Sequence, residues 1–412
     1  MSSPNFNPLQ SAYRRFHSTE TALLHTTDCV LRAADNGQPT ILVSLDLSAA
    51  FDMVEHQLLL NRLNNSFGIS GSALNWVTSY LNGRHQFVFA GSARSTTSEL
   101  SVGVPQGSVL GPLLFTLYTS PIGYIANSWN VCHQQYADDT QFFISLSSDN
   151  PQGIGQLQDC LSDLHAWFCL NSLALNNSKS EAIFFCSSQL RRHIAGIQSV
   201  DVAGTNVTVS DTIKTLGVIL DNKLSFDNQI KALCKSCYFH IKALRHIRPV
   251  LTVDSAKSIA CSLVGSRLDY ANSLFYGITI TNINKLQRVQ NNLAKLVTGC
   301  YSVRSSELLY NLHWLPIKQR IDFKLATLTY KLLLHKQPSY LFNSISPYYP
   351  ARALRSSDQH LLVRPRVSTV TGTRAFSVAA PAVWNAIPLA IRQHDTLTGF
   401  KRQLKAYLFP KP

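Results

Sequence analysis

This sequence lacks a long apolar run, a leader-like N-terminus and a regular cysteine framework. None of its hydrophobic stretches approaches the roughly 20 residues that cross a membrane, and Met1–Asn5 has no basic segment followed by an apolar one. The nine cysteines form an odd count without regular spacing, which argues against a secreted disulfide scaffold. We therefore expect reduced, mostly buried thiols in a soluble, intracellular protein that makes no membrane contact.

Acidic residues are scarce beside basic ones, and charged residues of either sign are few. The 37 Lys and Arg residues outnumber the 23 Asp and Glu residues, so the formal net charge is +14. Charged residues make up 15% of the chain and hydrophobic residues 45%, which excludes a disordered protein. A length of 412 residues allows more than one domain. Taken by itself, the basic excess suits a polyanionic partner such as nucleic acid or an acidic membrane surface, although many basic proteins bind neither.

Hydrophobic periodicity predicts an α/β part followed, after about residue 227, by a helical part. The predicted strands cover 41–45, 86–90, 97–102, 130–135, 141–146, 182–186, 200–203 and 215–220. The predicted helices include 18–33, 72–81, 156–170, 230–247, 283–297, 318–335 and 398–408. The proline-containing tail from residue 337 reads as irregular except for the last of these helices.

Three carboxylates stand at the ends of predicted strands. Asp46 follows the apolar run 41–45, and Asp138 and Asp139 lie between two β-prone stretches, at the tip of a predicted hairpin. Phosphoryl transfer to a nucleotide uses two Mg²⁺ ions about 3.5–4 Å apart, held by hard oxygen ligands. Carboxylates on rigid neighbouring strands supply such ligands. An Asp-Asp pair taken alone is most often an ordinary turn, so the decision rests on the surrounding segments.

Five segments resemble, in the same order, motifs of the reverse transcriptases of non-LTR (LINE-type, Jockey-like) retrotransposons. They are Ser44–Asp52 (motif A), Gly103–Pro112 (motif B), Tyr136–Asp139 (motif C), Asn176–Glu181 (motif D) and Leu216–Val218 (primer grip). The resemblance extends over about 10–226. The helical remainder, including Leu312–Pro316, is similar to the C-terminal region of Jockey-like polymerases.

The resemblance implies an α/β fold: a right-hand polymerase palm, made of a small antiparallel sheet backed by helices, followed by a helical thumb and a C-terminal region. We expect a remnant of the fingers at 1–35, the palm with motifs A to E at 36–226, the thumb at 227–336 and a C-terminal extension at 337–412. The family's upstream finger segment and its endonuclease have no counterpart here, so we expect an N-terminally truncated copy.

Carried over by position, the resemblance implies a two-metal site. Asp46, Asp138 and Asp139 match the metal-binding carboxylates, and the Leu47 carbonyl matches a further ligand of two Mg²⁺ ions, for which Mn²⁺ can substitute. Lys179 matches the lysine that protonates the departing pyrophosphate, where a cation also stabilises developing charge. The alternative for Lys179 is a solvated surface lysine.

Other positions match residues that contact the nucleotide, template or primer. Phe51 matches a steric gate against a ribose 2′-hydroxyl, with ordinary core packing as the alternative, and we expect Asp52 to cap the following helix. The remaining matched positions are Arg14 (with Arg15 as its alternative), Gln106, Gly107 and Tyr136 at the nucleotide and template, and Leu216 and Gly217 at the primer.

The resemblance implies an RNA-directed DNA polymerase that acts on an RNA template, a DNA primer or target and dNTPs, in the nucleus. An alternative from another class is a catalytically inactive remnant that only binds nucleic acid, which the basic charge also fits. A zinc site is disfavoured because its candidate ligands all fit one helix, where they cannot converge on a tetrahedral ion. Those candidates are Cys234, Cys237, His240 and His246.

Overall fold

The computed structural model describes residues 3–146, 152–186, 196–350 and 359–409. The chain divides into two compact units. The first consists of Met1–Ser18, Pro39–Phe184 and Arg191–Ser210, and the second of Thr19–Gln38, Phe185–Leu190 and Asp211–Pro412.

The strands are short, and most of them belong to the first unit. In chain order they are β1 (Thr40–Leu45), β2 (Leu47–Ser48), β3 (His85–Gln86), β4 (Phe89–Ala90), β5 (Ala93–Arg94), β6 (Ser98–Glu99), β7 (Cys132–Tyr136), β8 (Asp139–Ser145), β9 (Ala174–Leu175), β10 (Glu181–Phe185), β11 (Ser199–Val202), β12 (Thr205–Ser210), β13 (Thr212–Thr215) and β14 (Val218–Asp221).

The helices occur in both units, with α2 to α6 in the first unit and the others in the second. They are α1 (Thr19–Asp35), α2 (His56–Phe67), α3 (Gly71–Leu81), α4 (Gly111–Tyr118), α5 (Ile122–Ser128), α6 (Gly153–Leu170), α7 (Asp227–Ile247), α8 (Val253–Ala260), α9 (Ser266–Asp269), α10 (Ile280–Thr298), α11 (Ser305–Asn311), α12 (Ile317–His335), α13 (Ser339–Phe342), α14 (Phe376–Asn385), α15 (Leu389–Arg392) and α16 (Leu397–Leu408).

A six-stranded sheet organises the first unit, in the order β11-β12-β10-β1-β8-β7. β1 pairs antiparallel with β8, and β8 pairs antiparallel with β7. β10 and β12 run parallel, so the sheet is mixed. We had predicted an antiparallel sheet. Ile41, Leu42 and Val43 of β1 are fully buried, as expected for a strand covered on both faces. The predicted α/β class with a small sheet and helices is confirmed.

Helix α6 packs against this sheet through the face that the sequence predicted. Leu157, Leu161 and Leu164 are fully buried, and Phe168 is 1% exposed. Their spacing of three and four residues places them on one side of a helix. Burying each such side chain contributes about 1.5–3 kcal/mol, so this face attaches α6 firmly to the sheet that carries the candidate site.

The second unit is mainly helical, as predicted for the region after residue 227. In α7 the predicted inner face is buried. Cys237 is fully buried, and Leu233, Ile241 and Leu244 are at most 9% exposed. The predicted strand at 215–220 is instead a hairpin of β13 and β14, because Leu216 and Gly217 form the turn between Thr215 and Val218.

The tail is less irregular than we predicted. It contains α14, whose residues Phe376 and Trp384 are each 2% exposed, and the short helices α13 and α15. Pro381 lies inside α14, and prolines of this kind argue against a helix when only the sequence is read. Burial of the aromatic side chains outweighs that local cost. The part of the tail at 351–358 lies outside the described residues.

No helix in the described part of the chain is both long and apolar enough to cross a membrane. All nine cysteines are free. Our expectation that most are buried is wrong, since only Cys160 and Cys237 are buried, whereas four are exposed and three intermediate.

Candidate active site

The doubly acidic motif lies at a tight hairpin turn. In the β7–β8 ladder Tyr136 faces Asp139, so Ala137 and Asp138 are the two turn residues. Ala137 has a φ of 58°, and it is 7% exposed. A left-handed first turn residue matches the right-handed twist of the strands, and glycine usually occupies it. The predicted position of the two acids at a hairpin tip is confirmed.

Strand register brings the third carboxylate to the same place. Leu45, the last residue of β1, faces Thr140 of β8. Asp46 directly follows Leu45 and Asp139 directly precedes Thr140, so the two acids lie at the same end of this strand pair, and the charge of Asp46 acts on Asp139. The structure therefore brings the three predicted metal-binding carboxylates together.

The three carboxylates lie close enough for their charges to influence one another. Burial raises the pKa of Asp139, and the negative charges of Asp138 and Asp46 raise it further. A raised pKa means that the ionised form is disfavoured, which is the effect of like charges crowded in a partly desolvated place. Such crowding of hard oxygen ligands is the donor chemistry that a divalent cation relieves. In the described ranges, no three His, Cys, Asp or Glu side chains are already arranged as a metal-holding group.

The predicted motif D is attached to the strand end that carries Asp46. The Asn176 N–H donates to the Asp46 carbonyl at 2.8 Å, and Leu47 in β2 pairs with β9. Lys179 follows in this loop, with its Nζ 3.9 Å from Asp46 Oδ2. Its side chain is 70% exposed, so the ammonium group is free to move toward a ligand at the carboxylates. This position fits both the catalytic interpretation and a surface lysine.

Phe51 is only partly buried in the core. It lies in a 3₁₀ turn, Ala50–Met53, and its ring stacks on Phe115 with centroids 4.4 Å apart and planes at 23°. Phe115 is fully buried, whereas Phe51 is half-buried. One face of the Phe51 ring is therefore fixed by packing while the side chain keeps an exposed part, an arrangement that suits a rigid gate.

The motif B loop is joined to motif A by hydrogen bonds. The Gln106 amide donates to both carboxylate oxygens of Asp52 at 3.0 Å, and the Val104 N–H donates to the Phe51 carbonyl at 2.9 Å. Gly107 has a φ of 78° with open space around it. The loop that was predicted to contact nucleotide and template is thus positioned by the segment that carries Phe51 and Asp52.

Our expectation that Asp52 caps the following helix is wrong. Glu55 is the N-cap of α2, and its carboxylate accepts hydrogen bonds from the Gln57 and Leu58 N–H groups. Asp52 lies one turn earlier in the 3₁₀ segment and accepts from Gln106 instead. The reason is geometric, since the helix begins at His56 and only a side chain at the preceding position reaches its first free N–H groups.

The predicted finger arginine is held by its own segment. Arg14 Nη1 donates to the Pro8 and Gln10 carbonyls at 3.0 and 2.9 Å, and its guanidinium lies 4.9 Å from the Phe6 ring centroid. The alternative, Arg15, lies over the Phe16 ring. A phosphate contact of Arg14 stays a prediction.

Leu216 and Gly217, the predicted primer grip, belong to the second unit. They form the β13–β14 turn with φ angles of 45° and 78°. The Tyr270 hydroxyl donates to the Leu216 carbonyl at 2.6 Å. The four residues considered for zinc, at positions 234 to 246, all lie in α7 as predicted.

Two residues near the acidic turn were not predicted. The Gln10 side chain bonds to the backbone of Ala137 through both of its amide atoms. The pKa of Tyr13 is raised by burial and then by the charge of Asp138, so its phenol lies near that carboxylate. A glutamine and a tyrosine more than 120 positions away in the sequence carry no local signal of such a role.

Comparison with known proteins assigns these features to one family. Residues 1–220 match the family model described as reverse transcriptase (RNA-dependent DNA polymerase). The chain is 27% identical over 355 residues to the "Probable RNA-directed DNA polymerase from transposon BS" of Drosophila melanogaster, covering 84% of this chain and 38% of that protein. It is 27% identical over 300 residues to the "RNA-directed DNA polymerase from mobile element jockey" of Drosophila funebris, covering 70% of this chain and 32% of that protein.

The chain thus spans about a third to two fifths of the length of these curated relatives. Among solved structures, apo telomerase from Candida tropicalis aligns with 83% of this chain and 58% of that chain, at a TM-score of 0.41 and 12% identity. The family match covers more than half of the chain and includes the segments that resemble motifs A to D and the primer grip. The predicted resemblance to Jockey-like non-LTR polymerases is confirmed by these relatives, and the chain belongs to the reverse transcriptase (RNA-dependent DNA polymerase) family.

Proposed function

We propose that this chain catalyses RNA-directed DNA synthesis, in which a primer 3′-hydroxyl attacks the α-phosphate of a dNTP paired to an RNA template. The observation that carries the proposal is the meeting of Asp46, Asp138 and Asp139 at one strand end, where two of these charges raise the pKa of the third. The proposed partners are therefore an RNA template, a DNA primer or target and dNTPs. Use of a DNA target implies action in the nucleus.

The donor set fits divalent cations, and we propose two Mg²⁺ ions with Mn²⁺ as a substitute. The residues that would hold them are Asp46, Asp138, Asp139 and the Leu47 carbonyl. When bound, such ions lower the pKa of the primer hydroxyl and neutralise charge on the triphosphate. The mutual repulsion of the three carboxylates favours this binding, because it is relieved when positive charge enters.

The chain's own residues would orient the reactants and move one proton. Lys179, beside Asp46, donates its Nζ proton to the departing pyrophosphate and stabilises the charge that develops there. Phe51 presents its exposed edge to the sugar and excludes a 2′-hydroxyl. Gln106 and Gly107 place the loop backbone against the incoming nucleotide, which a glycine allows to approach closely.

The proposal extends to the domain roles. We assign 1–35 to the fingers, 36–226 to the palm, 227–336 to the thumb and 337–412 to a C-terminal extension. Arg14 would contact phosphates, Tyr136 the nucleotide or template, and Leu216 and Gly217 the primer. The basic charge of the chain supports contact with the nucleic-acid backbone.

Primer extension by purified protein tests the proposal. The substrate is oligo(dT) on poly(rA) with dTTP and either Mg²⁺ or Mn²⁺, and the expected result is a product that Asp138→Asn abolishes. The matched control is Asp201→Asn, which removes an exposed carboxylate from β11 of the same sheet and should leave extension unchanged. Folded protein that makes no Asp138-dependent product would refute the proposal, and salt-sensitive RNA binding without extension would point to the binding-only alternative.

A further inference from the structure

A side chain from outside the β7–β8 hairpin makes hydrogen bonds to the acidic turn. We infer that Gln10 is a positioning residue whose side-chain amide keeps Ala137 in its left-handed conformation and thereby sets the places of Asp138 and Asp139. The inference rests on the proposed function for its consequence in catalysis. The clamp itself is a structural feature that can be tested without turnover.

Both ends of the Gln10 amide are used on one residue of the turn. Its Oε1 accepts a hydrogen bond from the Ala137 N–H at 2.9 Å, and its Nε2 donates to the Ala137 carbonyl at 3.1 Å. The same Oε1 also accepts from the Ala12 N–H at 3.0 Å, within the segment that carries Gln10. Gln10 is 1% exposed and Ala137 is 7% exposed, so water does not readily replace these bonds. Loss of the amide would remove these bonds from two buried N–H groups, of Ala137 and Ala12, and from the buried Ala137 carbonyl.

Ala137, the residue that Gln10 binds, has an unfavourable backbone conformation. Ala137 has a φ of 58°, a conformation in which the Cβ of an L-residue is crowded and which glycine adopts without that cost. It immediately precedes the two acids of the motif. A change in the φ of Ala137 therefore redirects the peptide units that carry Asp138 and Asp139.

Gln10 itself is held rigidly, because its segment extends the sheet. The Ser11 N–H donates to the Gln135 carbonyl at 2.9 Å, and the Gln135 N–H donates to the Leu9 carbonyl at 3.1 Å. This adds a short parallel partner to β7, which is the last strand of the sheet order. The Gln134 Nε2 reinforces it by donating to the Leu9 carbonyl at 2.6 Å and to Ser11 Oγ at 2.8 Å.

The pair Gln10 and Gln134 provides a matched comparison. Both are glutamines with buried side chains, exposed by 1% and 2%, and both link the same segment to β7. Of these two side chains, Gln10 is the one that hydrogen-bonds to Ala137. Gln10→Met and Gln134→Met remove similar amides at similar volume, so any general loss of docking appears in both variants, while loss of the clamp appears only in the first.

The first measurement does not require activity. Hydrogen exchange followed by mass spectrometry should show faster exchange across Ala137–Asp139 in Gln10→Met than in the wild type, with Gln134→Met unchanged there. The half-saturating Mn²⁺ concentration, measured by paramagnetic resonance, should rise in Gln10→Met alone. If Gln10→Met does not fold, Gln10→Asn replaces it, because its shorter amide cannot reach both atoms of Ala137.

The second measurement uses the substitution Ala137→Gly as a rescue. In primer extension the turnover of Gln10→Met should fall by about 10²-fold, and Gln10→Met combined with Ala137→Gly should recover most of it, since glycine holds a positive φ unaided. A role of Gln10 in docking alone would not respond to glycine in the turn. Unchanged exchange at Ala137 in Gln10→Met, or failure of the rescue in an active protein, would overturn the inference. If the wild type extends no primer, the proposed function fails while the exchange result still decides the clamp.

Discussion

The glycine that opens motif B should be the least replaceable residue of its loop. Gly103 has a φ of +88°, and a Cβ added to it would lie 2.8 Å from the Asp52 carbonyl oxygen. The Gly103 N–H also donates to the Val54 carbonyl at 2.7 Å, and the His56 ring bonds to the Gly103 carbonyl at 2.7 Å. The atoms in the way are backbone atoms, so no side chain can rotate to admit a methyl group.

The size of the effect follows from two contributions. An alanine in the left-handed region costs about 1–2 kcal/mol, and forcing backbone apart in a packed site costs about 1–3 kcal/mol. Gly103→Ala should therefore lower the free energy of unfolding by about 2–5 kcal/mol. Gly107→Ala is the control, because its φ is +78° but nothing lies within 4 Å of the added Cβ. It should cost only the first contribution.

Urea unfolding checks this comparison. The transition of each variant should keep the wild-type slope, and the midpoint should fall clearly further for Gly103→Ala than for Gly107→Ala. Displacement of Asp52 also moves its neighbour Phe51, so Gly103→Ala should discriminate less well between dNTPs and rNTPs. Equal midpoints for the two variants would show that the contact with Asp52 is absent and would refute the reasoning.

Three further outcomes follow from the same geometry. Lys179→Met should change the free energy of unfolding by less than about 1 kcal/mol from the wild-type value, because an exposed ion pair contributes little. It should nevertheless lower turnover in primer extension by about 10²-fold. A comparable loss of stability would show that the role of Lys179 is structural. Phe51→Val should raise rNTP incorporation relative to dNTP by about tenfold in single-nucleotide assays, and an unchanged ratio would restrict Phe51 to packing. Glu55→Ala should cost about 0.5–2 kcal/mol in urea unfolding through loss of the α2 cap, whereas Asp52→Ala should cost clearly less; the reverse order would contradict the assigned cap.

Local patterns in the sequence were sufficient to predict several helices and strands. The spacing of Leu157, Leu161, Leu164 and Phe168 predicted both a helix and its buried face, and the structure buries these residues in α6. The order of the motifs predicted the family, and the β-prone runs around Tyr136–Asp139 predicted the hairpin. These features are local because helix and strand periods, and the residue preferences of turns, are set by neighbours in the chain.

Other features depended on segments that are distant in the sequence. The register of β1 against β8 brings the strand end before Asp46 beside the strand start at Asp139, and a slip by one residue would turn the side chains of a strand to its opposite face. The clamp of Gln10 on Ala137 joins positions 127 residues apart.

The sequence by itself therefore determined the family and several of the helices and strands, and it predicted which residues would carry the chemistry. Only the tertiary structure decided which strand register brings the carboxylates together and which buried side chain holds their turn. The physical reason is that periodicity identifies a strand and its faces, whereas pairing between strands is a long-range choice. That choice is made by the total burial and hydrogen bonding of the folded sheet.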